Sequence, residues 1–229
     1  MISVVVPTLN AESGLAACLS ALVPATVDGL VREVIIVDGG STDRTLRIAD
    51  QAGARILCSP AGRGCQLQAG AEAARFTWML FLHADTVLEP GWEREVGAFV
   101  ERIEMGARPE AAGVFRFVLD DLGVFPRLIE WGVAMRTSIL RLPYGDQGLL
   151  ISRRLYDHIG GFRDMPLMED VDIIRRLGRS RVRVLRTAAV TSAVRYKRDG
   201  YVRRVVRNLG CLTLYYLRVP PRVIARFYG

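Results

Sequence analysis

The stretch from Glu33 to Asp43 reads EVIIVDGGSTD and decides the fold class. The four apolar residues that precede Asp38 predict a strand buried on both faces, as strands of a parallel sheet are. A glycine pair ends this strand, and Ser41 or Thr42 can cap the helix that follows. A buried strand that runs through a short loop into a helix is typical of a βα unit.

The same alternation of strand and helix extends over residues 1–86. Continuous apolar runs predict further strands at Ile2–Thr8, Ala54–Cys58 and Trp78–Leu82, and apolar spacing predicts a helix over Cys65–Arg75. Short loops join these elements. The pattern predicts an α/β fold with a mostly parallel central sheet flanked by helices, and ligands that bind at the C-terminal ends of the strands.

The second half of the chain is predicted to continue the same domain. No internal repeat and no linker rich in Gly, Pro or Ser interrupts it. We therefore expect one domain over residues 1–194, followed by a tail over residues 195–229. The predicted elements are a strand over 111–121, an amphipathic helix over 124–142, a strand at Gly148–Ser152, a helix from Glu169 and a last strand at Arg181–Leu185.

Composition excludes several classes of protein. The 229 residues are 50% hydrophobic and 24% charged, which is ordinary for a globular domain and excludes disordered or collagen-like chains. No run of about 18 uncharged apolar residues predicts a membrane-spanning helix. The N-terminus lacks the basic start of a signal peptide, and the four cysteines form no CxxC pair. These features predict a cytoplasmic protein without a zinc site or a disulfide framework.

Positive charge is concentrated in the tail. The chain carries a net charge of +7, and residues 195–229 hold nine basic side chains against the single acid Asp199. The tail is therefore +8 and the rest of the chain is −1. This imbalance predicts an anionic partner, either a membrane surface, a lipid phosphate or a substrate phosphate. Nucleic acid is not expected, because the basic residues belong to no known reader motif.

Acidic residues follow the predicted strands where such folds bind ligands. Asp38, beside its glycine pair, can accept hydrogen bonds from a ribose or a base, but turn and capping chemistry explains it equally well. Asp85 follows a buried strand, where a carboxylate suits a hard divalent cation shared with phosphate oxygens. His83 is a borderline metal ligand or a hydrogen-bond donor on the same side of the strand.

Glu169 and Asp170 open a predicted helix. Carboxylates at that position can cap the helix, or one of them can act as the general base that deprotonates an acceptor hydroxyl. Motifs of other enzyme classes are missing: the sequence has no GxxxxGK[ST] loop, no GxGxxG after the first strand, no GxSxG elbow and no HExxH.

Five motifs in this order resemble the family 2 glycosyltransferases with a GT-A fold, over roughly residues 1–190. Within that family the chain is most similar to the small bacterial arsenosugar-biosynthesis-type glycosyltransferases, because of Tyr144–Gln147 followed by Pro166–Asp170. The five motifs are Val4–Asn10 (VVVPTLN), Val37–Asp43 (VDGGSTD), Leu82–Asp85 (LHAD), Gly160–Phe162 (GGF) and Met168–Asp170 (MED).

The resemblance implies transfer of a hexose-class sugar from a nucleotide diphosphate sugar to an acceptor hydroxyl, with inversion at the anomeric carbon. UDP-sugars are the favoured donors. Asp85 would bind Mg²⁺ or Mn²⁺, with His83 beside it, and Asp170 would be the base with Glu169 next to it. Asp146 would face the acceptor, or would be a turn residue. The residues implied at the donor are Pro7, Thr8, Glu12, Asp38, Arg63 and Asp85.

The sequence departs from the family pattern at three points. His83 stands where the family usually has an acid, which puts metal affinity in question. Ala11 replaces the usual glutamate of the first motif, with Glu12 next to it. The QxxRW motif of processive members is absent, which favours a single transfer. Two alternatives stay open: a catalytically degenerate module that binds nucleotide sugar or lipid phosphate, and a polyprenyl-phosphate sugar transferase at the membrane surface.

The tail is predicted to form a basic amphipathic helix over residues 200–217. Its apolar face could lie on an anionic membrane, or pack on the domain or on a second subunit of a homodimer. Arg195 or Arg198 could instead fold over the donor diphosphate. The apolar residues at helical spacing are Val202, Val205, Val206, Leu209, Leu212 and Tyr216.

Overall fold

The structure, a computed structural model, describes residues 1–228, and within them eight strands form a single sheet. The spatial order of the strands is β3-β2-β1-β4-β7-β6-β8-β5. The strands are β1 (Ile2–Thr8), β2 (Val31–Asp38), β3 (Arg55–Cys58), β4 (Trp78–Phe81), β5 (Thr86–Leu88), β6 (Ala112–Asp120), β7 (Leu149–Ser152) and β8 (Val182–Ser192).

Strands β1 to β4 form the parallel half of the sheet. Thr8 at the end of β1 pairs with Asp38 at the end of β2, so the loops that follow both strands leave from one edge. Val4 and Val6 pack into the core on one face of the sheet, and Val5 packs into the core on the other. All three are fully buried, which confirms the α/β fold predicted from the continuous apolar runs.

The direction of β7 brings two distant parts of the chain together. β7 runs antiparallel to β4, and Leu149 at its start pairs with Phe81 at the end of β4. Residues 145–147 and 82–85 therefore lie at the same edge of the sheet. β7 is also antiparallel to β6, β6 is parallel to β8, and β5 is antiparallel to β8.

Helices cover both faces of the sheet. The predicted helix over 124–142 is shorter than expected, since its α-helical part ends at Met135 and one π-helical turn follows over Arg136–Leu140. The α-helices are α1 (Glu12–Ser20), α2 (Val23–Val27), α3 (Thr45–Gln51), α4 (Arg63–Ala73), α5 (Trp92–Glu104), α6 (Val124–Met135), α7 (Arg153–His158), α8 (Glu169–Leu177), α9 (Val194–Asp199), α10 (Tyr201–Tyr216) and α11 (Pro221–Tyr228).

Two strands differ from the sequence prediction. The last strand, predicted to end at Leu185, continues to Ser192 because its second half pairs with β6 on one side and β5 on the other. Ala188 and Ala189 are buried there by this pairing, although the segment lacks a clear apolar period. β5 was not predicted; its three residues are too few to carry a periodic signal.

The tail packs on the domain, but only part of the predicted apolar face takes part: Leu212 packs against the core. Cys211 and Ile224 join the core on one face of the sheet, with exposed fractions of 3% and 0%. Val202, Val206 and Leu209 are 64%, 63% and 54% exposed instead. The alternative in which this apolar face packs on the domain is therefore wrong for these three residues.

Ion pairing joins α10 to the preceding helix, α9. Arg204 is 7% exposed, donates to Asp199 over 3.0 Å and lies over the ring of Tyr196, so the side of α10 that carries Arg204 packs on α9. None of the helices within residues 1–228 is both long enough and apolar enough to cross a membrane. All four cysteines are free thiols.

Candidate active site

The loops after β1 and β2 are joined by hydrogen bonds between side chains and backbone. The Asn10 side-chain oxygen accepts from the Thr42 amide at 2.9 Å, and the Asn10 amide donates to the Ser41 hydroxyl. Glu12 accepts from both the amide and the side chain of Arg44. Glu12, predicted as a donor-site residue, is half-buried and links the two loops through these hydrogen bonds. Its donor role stays a prediction.

Asp38 holds the second loop in place. One carboxylate oxygen accepts from the hydroxyls of Thr8 and Ser41, and the other accepts from the amides of Gly40 and Ser41. Burial acts to raise the pKa of Asp38, but these hydrogen bonds outweigh it and lower the pKa. The carboxylate is therefore ionised at neutral pH, and it is satisfied by its own loop together with Thr8 at the end of β1. Direct contact with uracil or ribose stays a prediction.

Gln66 on α4 was missed by the sequence analysis. It is 3% exposed, and its side-chain amide donates to the carbonyls of Thr8 and Val37 at 2.8 and 2.7 Å. These bonds fix the ends of β1 and β2, beside Pro7 and Thr8. A single glutamine within an ordinary helix gives no sequence signal for this role.

Asp85 and His83 follow β4 and lie at the same edge of the sheet. The Asp85 side chain is 27% exposed and lies 3.9 Å from the guanidinium of Arg195 in the tail. Burial, aided by the positive charges of Arg63 and Arg195, lowers the pKa of His83 well below its usual value. His83 is therefore a neutral imidazole near pH 7, the form that can bind a metal ion.

The segment that carries Asp85 rests directly on α1. A β-carbon at Gly14 would lie 2.9 Å from the carbonyl oxygen of Ala84 and 3.0 Å from the Cα atom of Asp85. Only glycine permits this approach. Gly14 thus sets the position of Asp85, a role that the sequence analysis did not assign.

Asp146 reaches the same edge from the turn that precedes β7. Its Oδ1 atom is buried and accepts no hydrogen bond from the residues that the structure describes. Burial, together with the negative charges of Asp170 and Asp85, raises the pKa of Asp146 to about 6, although Arg136 and Arg63 oppose the rise. Such an unsatisfied carboxylate in a cleft is available to a ligand.

Glu169 and Asp170 begin α8, after Met168 in the left-handed region at φ 68°. The Asp170 carboxylate accepts from the amides of Gly145 at 2.8 Å and Val171 at 2.7 Å. Glu169 is 2% exposed, and its Oε2 atom is another buried oxygen without a partner among residues 1–228. Burial first, and then the charge of Asp170, raises the pKa of Glu169 to about 7.

Arg63 opens α4 and faces these carboxylates. Its positive charge acts to lower the pKa of both Glu169 and Asp146. The neighbouring Gly64 brings the start of α4 against the segment that precedes α8, because a β-carbon there would lie only 2.3 Å from the Arg163 carbonyl oxygen. The Gly62–Gly64 motif thus fixes Arg63 relative to α8.

Most of the predicted site residues line one open cleft. The space between its walls amounts to about 800 Å³, part of which is open to solvent. Pro7, Thr8, Glu12 and Asp38 are not among its lining residues; they lie at or after the ends of β1 and β2. The predicted residues that do line the cleft are Arg63, His83, Asp85, Asp146, Glu169 and Asp170.

The tail forms one wall of this cleft. Arg195 lines it, as the sequence allowed, whereas Arg198 is exposed and paired with Asp199. Arg204 and Asn208, one helical turn apart on α10, line it as well and were not predicted. The sequence did not predict this role, because the apolar residues at helical spacing in α10 lie on its other side.

The side chains at this edge suit a divalent cation that takes only some of its ligands from the protein. Asp85 offers a half-buried carboxylate at the cleft, and His83 offers a neutral imidazole. Within residues 1–228, no group of three or more His, Cys, Asp or Glu side chains could hold a metal ion without further ligands. A cation at Asp85 would need substrate oxygens or water to complete its coordination, as Mg²⁺ usually does.

Comparison with known proteins identifies the class. Residues 3–124 match the model of glycosyl transferase family 2, and the chain belongs to this family. The resemblance drawn from the sequence motifs is thereby confirmed at the level of the family. The arsenosugar-type subgroup stays a prediction.

Two mycobacterial relatives are similar over parts of the chain. A PGL/p-HBAD biosynthesis glycosyltransferase of Mycobacterium bovis (strain BCG / Pasteur 1173P2) is 37% identical over 108 residues, 44% of this chain and 41% of the relative. A glucosyl-3-phosphoglycerate synthase of Mycobacterium tuberculosis (strain CDC 1551 / Oshkosh) is 46% identical over 56 residues, 24% and 17% of the two chains. The aligned part is less than half of either relative.

Solved structures share the fold. Glucosyl-3-phosphoglycerate synthase from M. tuberculosis, in complex with Mn²⁺ and UDP-glucose, superposes with a TM-score of 0.63 at 22% identity, covering 96% of this chain and 80% of that one. S. aureus TarS 1–349, in complex with UDP-GlcNAc, gives 0.60 at 20% identity, covering 83% and 58%. The GT-A fold predicted from the motifs is confirmed.

Proposed function

We propose that this protein is an inverting, non-processive glycosyltransferase that moves a sugar from a nucleotide diphosphate sugar to an acceptor hydroxyl. The observation that carries the proposal is the single cleft that holds Asp85, Arg63 and the pair Glu169 and Asp170. A UDP-sugar is the favoured donor, since both structural neighbours described above are complexes with UDP-sugars.

Asp85 and Arg63 would serve the diphosphate of the donor. Asp85, with His83 beside it, would hold Mg²⁺ or Mn²⁺; the Mn²⁺ in the glucosyl-3-phosphoglycerate synthase complex supports a divalent ion. When bound, such an ion offsets the negative charge that develops on the departing diphosphate. Arg63 adds a fixed positive charge near the same carboxylates.

Asp170 is better suited than Glu169 to be the general base. Two backbone amides orient the Asp170 carboxylate, whereas burial raises the pKa of Glu169 to about 7 and keeps much of it protonated at neutral pH. Asp170 would take the proton of the acceptor hydroxyl as that oxygen bonds to the anomeric carbon. The bond from this carbon to the phosphate oxygen breaks, its electron pair leaves with the nucleoside diphosphate, and attack from the opposite face inverts the carbon.

The cleft wall favours an acceptor that carries negative charge. Arg195 and Arg204 of the tail line the cleft beside Asp146, which would face the acceptor. A phosphate next to the accepting oxygen could pair with these guanidinium groups. This observation supports the second candidate function, transfer to a polyprenyl phosphate at a membrane surface. In that variant of the reaction a phosphate oxygen is the nucleophile.

Replacement of Asp170 by asparagine separates an enzyme from a degenerate binding module. We expect Asp170→Asn to lower turnover of UDP-glucose or UDP-GlcNAc at least 100-fold, while calorimetry shows unchanged UDP binding. Asp164→Asn, an exposed neighbour outside the cleft, is the control and should keep wild-type turnover. Survival of turnover in Asp170→Asn would refute the base assignment. Binding of UDP without turnover of any donor by the wild type would favour the module.

A further inference from the structure

Helix α6 exposes apolar side chains along one side. Val124, Leu128 and Trp131 recur at helical spacing and are 73%, 57% and 65% exposed. The two charged residues of α6, Arg127 and Glu130, form an ion pair with each other at 2.6 Å. On a surface helix, apolar side chains at this spacing normally face the core. Because this apolar stripe faces solvent instead, we expect another surface to cover it.

Helix α10 exposes a second stripe. Val202, Val206 and Leu209 follow the same spacing and are more than half exposed. Exposed Leu217 extends this apolar side just beyond the end of the helix. The opposite side of α10 is fixed on the domain through Arg204 and Cys211.

The two helices are neighbours. The ring of Phe125 on α6, itself 56% exposed, stacks on Tyr201 at the start of α10 with the centroids 6.1 Å apart. Ile129 and Val133 of α6 pack in one small cluster with Tyr201. Six exposed apolar residues of the two helices are here called the two-helix surface: Phe125, Leu128, Trp131, Val202, Val206 and Leu209.

Unpaired positive charge lies on α10 itself and on α11, which packs against α10. Asp199 is already engaged by Arg198, Arg204 and Arg207. Arg203 on α10 and Arg222 and Arg226 on α11 are exposed, and none of the three forms an ion pair with a carboxylate in residues 1–228. Apolar area and free cationic charge together match the interface of an anionic bilayer.

We propose that the two-helix surface docks this protein on the surface of an anionic lipid bilayer. The apolar side chains enter the headgroup region, and the exposed arginines contact lipid phosphates. A second copy of the chain fits less well, because a symmetric contact would bring the unpaired arginines of α10 and α11 in both copies toward one another.

Trp131 provides a direct reporter of docking. Trp78 and Trp92 are 2% and 1% exposed, so a change in the environment of the surface alters mainly the emission of Trp131. We expect vesicles of phosphatidylcholine with about 30% phosphatidylglycerol to shift the emission of the 229-residue protein to shorter wavelength. Trp131→Phe should remove the shift while vesicle co-sedimentation persists. No shift and no co-sedimentation at low salt would overturn the proposal.

Paired substitutions test whether both helices take part. Leu128→Gln combined with Val206→Gln should reduce co-sedimentation at least tenfold, since both removed side chains are apolar and exposed. Val27→Gln combined with Met105→Gln is the matched control, because these residues are 80% and 73% exposed elsewhere on the molecule. Circular dichroism checks the folding of every variant. Equal loss in both pairs, or a wild-type dimer that Leu128→Gln with Val206→Gln dissociates, would contradict docking on lipid.

Discussion

Glu169 and Asp170 are adjacent in sequence, but their carboxylates lie in different environments. Asp170 is oriented by two backbone amides at the start of α8, while Glu169 is buried with one oxygen unsatisfied among the described residues. The motif alone predicts a carboxylate base but does not distinguish the two residues. The difference arises from the turn at Gly145, which approaches α8 only in the folded chain.

The raised pKa of Glu169 predicts a pH-dependent stability. Between pH 4.5, the ordinary value, and pH 7 the unfolded chain releases a proton that the folded chain keeps, so the free energy of unfolding falls as pH rises. The substitution Glu169→Gln removes the titrating carboxyl group, and with it the loss of unfolding free energy as pH rises. Its Tm relative to wild type should therefore increase from pH 4.5 to pH 7 and then level off, with a free-energy difference on the order of 3 kcal/mol.

Thermal unfolding of both proteins across this pH range measures the effect. Glu101→Gln, an exposed carboxylate on α5, is the control and should leave the Tm difference flat. A flat difference for Glu169→Gln as well would show that Glu169 is ionised in the folded state at ordinary pH, contrary to its buried and unsatisfied position.

At the scale of elements, the contact between α1 and the segment after β4 positions the candidate cation ligand. We expect Gly14→Ala to weaken Mn²⁺-dependent UDP binding at least tenfold, because the new β-carbon must displace the backbone of Ala84 and Asp85. Isothermal titration of UDP with Mn²⁺ measures the affinity. Ser13→Ala, exposed on the same helix, should bind as wild type does. Wild-type affinity in Gly14→Ala would disprove the positioning role.

The elements show which parts of the fold could be read from sequence. β1, β2 and β4 are continuous apolar runs because they are buried on both faces, and each was predicted within a residue or two. β5 and the second half of β8 depend on pairing with distant strands and lack such a signal. The approach of Asp146 to Asp85 likewise requires the antiparallel pairing of β7 with β4, which no local pattern encodes.

On the scale of the whole molecule, the tail packs on the core of the domain through Cys211 and Ile224. Its basic charge was evident from composition, but which side of α10 would face the domain was not. Valines, leucines and arginines occur around the whole helix. The packed side carries Arg204, which contacts Asp199 and Tyr196, and Cys211, which joins the core. The division at residue 194 stays a sequence prediction. Because Cys211 and Ile224 are core residues, point variants test the tail better than its deletion would.

The same helix connects the two proposals. α10 lines the candidate active site through Arg204 and Asn208 and contributes Val202, Val206 and Leu209 to the two-helix surface. Because these two sets of residues lie on opposite sides of α10, a protein docked through that surface would have its cleft about one helix diameter, roughly 10 Å, from the docked side. This arrangement is consistent with an acceptor whose reactive oxygen belongs to a lipid headgroup or a lipid phosphate.

The most direct test of the proposed function is calorimetric titration of UDP, GDP and CDP, each with Mn²⁺ and with a chelator, into wild type and Asp85→Ala. We expect Mn²⁺-dependent binding of UDP to the wild type that weakens at least tenfold in Asp85→Ala. Asp164→Ala is the matched control and should bind as wild type does. Binding of none of the nucleotides, or UDP binding that neither the chelator nor Asp85→Ala alters, would contradict a cation-assisted nucleotide-sugar transferase.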